Sequence, residues 1–256
     1  YQGGKIMRFD KRTAIITGAG GLGKAYAKAI LQEGGNVVIA EYDDKKGMTT
    51  EKEFKDKGWN ALFVHCDVSK EEDVIKTVNE TLDKFGTIDI LVNNAQCTND
   101  VHASVENTSI EMVKKCWETG FLGAFMFEKY CLPHMKKNNY GRIINIASVT
   151  GASGQEGFSA YGSNKEAMRG LTRITAVEYG VYGITCNAIC PSALTEPAQK
   201  WAKANPEQYE GICKPLLLKR LGDPEKDIAP IVAFLASEDS RFVTAQTIGA
   251  DGILRY

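Results

Sequence analysis

Tyr161 and Lys165 stand four residues apart in "YGSNK", so on a helix the lysine ammonium lies beside the tyrosine phenol. A free phenol loses its proton near ~10, and a shift of ~3 units toward neutrality takes ~4 kcal/mol of differential stabilisation. A neighbouring lysine and a second positive charge, in a site shielded from water, would lower the phenol and make Tyr161 an acid and base at neutral pH. The spacing alone is weak, since Tyr1/Lys5 and Tyr42/Lys46 repeat it. What separates Tyr161 is its company. Ser148 lies thirteen residues earlier, at the end of the apolar run "RIINIA", and the glycine-bearing loop "VTGASGQEGFSA" joins the two. A serine hydroxyl and a phenol that converge on one carbonyl oxygen can bind it and exchange a proton with it.

A second cluster lies near the start. "TGAGGLG", Thr17 to Gly23, follows the run "TAIIT" and opens a helical stretch, and Gly18, Gly20 and Gly23 match G-x-G-x-x-G. Glycine suits a tight turn whose backbone approaches a pyrophosphate, which the free N–H groups of the following helix then hold. Gly18, Gly20, Gly21, Leu22 and Gly23 are therefore the candidate phosphate loop. Glu41 ends the next apolar run, 23 residues after Gly18, where a carboxylate would bond the adenine ribose hydroxyls. Its charge would repel a 2'-phosphate and the adjacent Tyr42 offers no cation to receive one, so NAD is expected over NADP. The second positive charge near Tyr161 is then an oxidised nicotinamide ring.

These residues need a scaffold that brings loop and helix to one edge. Short apolar runs, "TAIIT", "NVVIA", "ALFVH", "IDILVN", "RIINIA", "ITCNAI" and "QTIGA", alternate with longer segments of helical period. That rhythm predicts βαβ units with a parallel sheet covered on both faces, a single-domain doubly wound α/β fold. Ser69 and Glu72 read as a capping box before "EEDVIKTVNETLDKF", and Asp223-Pro224 as a capping acid before a first-turn proline. Ser109 to Met135 reads as one long helical region. The polar stretch from Thr195 to Gln208 breaks the rhythm and is a candidate lid.

With 31 basic and 32 acidic residues the net charge is -1, which gives no field to attract nucleic acid or an anionic membrane. The expected partners are a small-molecule alcohol or ketone and further copies of the chain. Seven cysteines without a CxxC pair read as reduced thiols, hence a cytoplasmic protein. The three histidines share no ligand spacing with them, and no metal is expected. No apolar run approaches the ~18 residues of a membrane span. "YQGGKI", residues 1–6, reads as a vector-derived scar before a domain over 7–256.

Taken together the chain resembles the short-chain dehydrogenase/reductase family over nearly its whole length. The residues that carry this are "TGAGGLG", "CDV" at 66 to 68, "NNA" at 93 to 95, Ser148, "YGSNK", "NAICPS" at 187 to 192, and "RLGDPEKDIAPIVAFLAS" leading to "ADG". The resemblance implies a Rossmann-like domain of about seven parallel strands, usually a homotetramer, that oxidises secondary alcohols or reduces ketones with a nicotinamide cofactor. It implies that Asp67 and Val68 meet the adenine, that Asn93 supports the central strand, and that Asn94 and Ala95 line the cofactor. Lys165 would bind the nicotinamide ribose, and Pro191 and Thr195 would meet the carboxamide. Gln96, Gln155 and Leu194 are the expected substrate contacts, with Cys97, Ser153, Phe158 and Trp201 nearby.

The chain departs from the family at definite places. Its glycine loop is one residue shorter than T-G-x-x-x-G-x-G, and Gly120 in "TGFLGAF" stands where the family carries a catalytic asparagine. Ser192 replaces the usual glycine after Pro191, and Thr195 comes one residue early. Two readings follow: an NAD-dependent secondary-alcohol dehydrogenase or ketone reductase, and a nicotinamide-nucleotide-binding sensor or scaffold without turnover.

Overall fold

The computed structural model describes residues 7–97 and 102–252, so the expected scar at 1–6 lies outside the described residues. The apolar runs form β1 (Thr13–Thr17), β2 (Asn36–Glu41), β3 (Ala61–His65), β4 (Ile90–Asn93), β5 (Gly141–Ile146), β6 (Ile184–Pro191) and β7 (Thr247–Ala250). Between the first four strands run α1 (Gly21–Leu31), α2 (Asp44–Lys55) and α3 (Glu71–Phe85). The later helices are α4 (Ile110–Trp117), α5 (Gly123–Asn138), α6 (Val149–Ser153), α7 (Ser159–Tyr179), α8 (Glu196–Ala204), α9 (Pro206–Cys213) and α10 (Ala229–Ala236).

All seven strands are parallel in one sheet of order β3-β2-β1-β4-β5-β6-β7. Alternation along each strand sends neighbouring residues to opposite faces, and both faces are covered. Ile16, Ile39, Val92 and Ile144 pack with α1 and α10. Ile15, Val38, Leu91 and Ile143 pack with α3 and α5. That explains strands written as unbroken apolar runs. The chain crosses from β3 over β1 to β4, so the strand order reverses between β1 and β4, and a crevice opens at their carboxyl ends.

The expected long helix is present but interrupted. Ser109 caps α4 by accepting from Met112 N–H at 3.1 Å, and a π-turn over Glu118–Leu122 joins α4 to α5. Asp223 caps a π-turn over Pro224–Ile228 that leads into α10, as expected, accepting from Glu225 and Lys226 N–H. The Ser69 capping box does not form. The Ser69 hydroxyl donates to Asp67 Oδ1 at 2.6 Å, and α3 begins two residues later with Lys70 at its cap. A carboxylate two residues away is a stronger acceptor than a hydroxyl is a cap, and Asp73 closes the turn by accepting from Asp67 N–H at 2.9 Å. The irregular stretch after β6 is two short helices, α8 and α9, each opened by a first-turn proline.

Candidate active site

The cofactor end is built from backbone. Gly18 has φ +86°, a left-handed conformation that favours glycine, and its N–H donates to Ala40 O at 2.7 Å. A Cβ placed on Gly23 would stand 1.9 Å from Gly18 O, so only glycine lets α1 start this close to β1. The shortened loop closes through a second left-handed residue, Gly21 at φ +41°, over which the Thr195 methyl sits. Thr17 Oγ1 accepts from both Asn94 and Ala95 N–H at 2.9 Å, and Asn94 Nδ2 donates to Thr17 O at 2.8 Å. The ends of β1 and β4 are thereby locked on either side of the crevice.

Glu41 is nearly buried and both its oxygens are held: Oε2 accepts from Ala19 N–H at 2.6 Å and Oε1 from Asp43 N–H at 3.0 Å. It thereby braces the glycine loop against the start of α2. A cleft of about 690 Å³ opens over Gly20 and Gly21, walled by α2, Glu196 and Pro197, and it takes in Lys24, Lys45 and Lys46. Lys46 Nζ lies 3.8 Å from where a Cβ on Gly20 would stand. Sequence reading missed this cation, because it sits five residues past Glu41 and returns to the loop only through the first turn of α2. Farther along, Asp67 Oδ1 is taken by Ser69, and Val68 is buried with its carbonyl against Gly123. Crevice, glycine cradle and open first turn of α1 together fit a dinucleotide.

The catalytic end is built from side chains. Ser148 follows β5 and caps α6, its Oγ accepting from Thr150 N–H at 3.2 Å, and its side chain lies near enough to the Tyr161 phenol to draw its pKa down. Lys165 is buried one turn along α7, and its Nζ donates to Ile146 O at 2.7 Å. The serine, tyrosine and lysine singled out by spacing thus meet at the carboxyl end of β5. The expected lowering of the phenol is not what the protein alone produces. Burial pushes the Tyr161 phenol above its ordinary range, and the Ser148 side chain only partly opposes this. The ammonium lies 5.6 Å from the centre of the tyrosine ring and is turned to the Ile146 carbonyl. Lys165 is itself pushed down to about 8 by burial.

The expected substrate residues differ in what they have available. Gln96 lies at the end of β4, yet its amide is occupied, donating to Cys97 O and Cys116 O and accepting from Asn164 Nδ2. Gln155 is exposed, with Oε1 accepting from Thr150 Oγ1 at 2.9 Å. Leu194 is held by its N–H to Gly222 O at 2.8 Å, and Pro191 ends β6. His102 adds a group that sequence reading did not single out: its ring meets Phe158 edge-on at 5.2 Å, and Phe158 meets Tyr161 at 6.3 Å. No local pattern marks His102, since the contact spans more than fifty residues.

Residues 17–252 match the family profile described as Enoyl-(Acyl carrier protein) reductase. The meso-2,3-butanediol dehydrogenase of Serratia marcescens is 36% identical over 248 residues, covering 96% of this chain and 95% of that protein. The 7alpha-hydroxysteroid dehydrogenase of Bacteroides fragilis is 31% identical over 249 residues, again 96% and 95% of the two chains. The structure of levodione reductase superposes with a TM-score of 0.89 at 31% identity, over 96% of this chain and 98% of that one. Likeness that runs through the whole sheet and both ends of the crevice makes this chain a member of the short-chain dehydrogenase/reductase family.

Proposed function

We propose that the protein is an NAD(H)-dependent oxidoreductase that interconverts a secondary alcohol and a ketone, with Tyr161 as acid and base. The observation that carries this reading is the Ser148–Tyr161 hydroxyl pair beside the buried Lys165, at the same sheet edge as the glycine cradle. Gly18, Gly20, Gly21, Leu22 and Gly23 would hold the pyrophosphate, with Asn94, Ala95, Pro191 and Thr195 along the rest of the dinucleotide. The nicotinamide supplies or accepts the hydride when bound. Ser148 donates its Oγ–H to the substrate oxygen and orients it. Tyr161 gives its phenolic proton to that oxygen in ketone reduction and takes it back in alcohol oxidation. The charge of Lys165, fixed by the Ile146 carbonyl, stabilises the phenolate as it forms. A phenol raised by burial is protonated at rest, so reduction should slow and oxidation quicken as pH rises.

Glu41 supports NAD, since its carboxylate lies at the end of β2 where a 2'-phosphate would have to fit. Lys46 favours NADP as a second reading for the cofactor alone, because its ammonium stands over Gly20. Relatives that act on a butanediol and on a hydroxysteroid support a secondary alcohol as substrate, met by Gln155, Leu194 and the segment at Gln96. The outer faces of α4, α5 and α7 expose Trp117, Phe125, Ile174 and Val177, which supports a homotetramer or homodimer. Free cysteines support a cytoplasmic location.

A panel of secondary alcohols and ketones, read by NADH absorbance, tests the reading. Turnover of at least one member is expected. NADH binding without turnover of any member would leave a non-catalytic sensor or scaffold in its place.

A further inference from the structure

A break in the helix beside the catalytic lysine is closed by side chains from two other parts of the chain. Over the π-turn Glu118–Leu122 the backbone leaves its regular ladder. Phe121 N–H donates there to Asn164 Oδ1 at 2.8 Å, and Cys116 O accepts from Gln96 Nε2 at 3.3 Å. The two amides bond to each other, Asn164 Nδ2 donating to Gln96 Oε1 at 2.6 Å. Gly120 makes the room. A Cβ on it would stand 2.1 Å from Asn164 Nδ2 and 2.3 Å from Gln96 Oε1. Asn164 is 2% exposed, immediately precedes Lys165 and follows Tyr161 by three residues.

We propose that Asn164 is a positioning residue: with Gln96 and the π-turn at Gly120 it forms a clasp that pins the turn of α7 carrying Tyr161 and Lys165 to the end of β4. The inference rests on the oxidoreductase reading given above. Three elements meet in the clasp, the segment after β4 that borders the cofactor crevice, the α4–α5 junction and the catalytic helix. The Asn164 amide serves both neighbours at once, so its removal takes the partner from Phe121 N–H and Gln96 Oε1 together. The π-turn and the segment after β4 then relax toward the space left, shifting the backbone of α7 against them. The shift is transmitted to Lys165 through one peptide bond, and to Tyr161 through one helical turn. Gly120 and Asn164 act as a matched pair, one vacating the space that the other fills.

The test uses the full chain. Asn164→Ala should lower kcat by about ten- to a hundredfold, the scale of an ångström-sized misplacement of a catalytic group. The KM for the alcohol and the Kd for NADH should stay near their native values, and the pH profile of oxidation should move. Moving the amide across the gap, Gly120→Asn combined with Asn164→Ala, should restore most of the lost kcat, whereas Gly120→Asn alone collides with Asn164 and loses activity. A folded Asn164→Ala variant with native kcat and pH profile overturns the proposal, as does a folded double variant no better than Asn164→Ala. Where Asn164→Ala does not fold, Asn164→Asp decides on the same criteria, since it keeps the acceptor for Phe121 and loses the donor to Gln96. A native protein that binds NADH but turns over nothing sinks the reaction reading alone. Amide exchange at Phe121 then decides the clasp: slow in the native chain and fast in Asn164→Ala supports it, and equal rates overturn it.

Discussion

At the carboxyl ends of β1 and β2 the site consists of backbone: two left-handed glycines, a third that admits no Cβ, and the first turn of α1. Across β5 and α7 it consists of side chains, Ser148, Tyr161 and Lys165, with the lysine bonded to the carbonyl of Ile146 and the Asn164–Gln96 amide pair next along α7. The two halves have absorbed change differently. The loop is one residue short of the family's usual length, and glycine at 18 and 21 still turns it, because backbone N–H groups are supplied by any residue that can adopt the conformation. The catalytic half has no side chain at 120, and an amide from position 164 lies in that space. A backbone site requires only a conformation, whereas a side-chain site requires a functional group in a given place.

The most damaging substitution should separate the halves completely. Tyr161→Phe is expected to cut turnover by about a thousandfold or more, the scale of losing general acid–base catalysis, while NADH titration by fluorescence stays native. Loss of NADH binding would make the phenol part of the cradle and dissolve the distinction. Gly23→Ala should act in reverse, forcing a methyl against Gly18 O. Its NADH affinity should fall by roughly ten- to a hundredfold, the cost of overpacking a close approach, as read by calorimetry.

A smaller effect is expected below the catalytic half. Glu128 on α5 is fully buried, accepts from Thr175 Oγ1 at 2.5 Å and Asn145 Nδ2 at 2.9 Å, and is pushed up to about 7 mainly by burial. The folded chain therefore holds this proton more tightly than the unfolded one. The stability so gained is present at low pH and is lost as pH rises through 7. Glu128→Gln should match the native chain near pH 4, below the unfolded carboxyl's value, and be more stable at pH 8 by roughly 1–3 kcal/mol in denaturant melts. Equal curves at both pH values would place the charge outside the stability of this half. The mildest change is Glu41→Ala, which should weaken NAD binding several-fold more than NADP binding if its carboxylate faces the ribose. An equal loss for both would limit Glu41 to bracing Ala19 and Asp43 in the loop.

Much of this architecture was legible in the one-dimensional pattern. Apolar runs marked all seven strands to within a residue or two, since a strand buried on both faces writes itself as an unbroken stretch of Val, Ile and Ala. The glycine spacing and the Ser148, Tyr161, Lys165 order were legible for the same reason: each is a local pattern whose geometry follows from one turn or one helix. Asn164 was not, although it sits inside "YGSNK", because its meaning depends on Gln96, 68 residues away, and on an absence at Gly120. Lys46 and His102 were missed likewise, as their neighbours come from other elements. The Ser69 cap failed because a carboxylate nearby in the folded loop outcompeted the pattern.

The sequence by itself therefore determined the alternating elements and the parallel doubly wound sheet, and it marked the candidate glycine loop and the Ser148, Tyr161, Lys165 set, all by periodicity and short spacing. Only the tertiary structure decided that the phenol is raised by burial, that a lysine from α2 stands over the loop, and that an amide from α7 fills the gap at Gly120. Desolvation and contacts between distant segments exist only once the chain has closed on itself, and no local pattern encodes them.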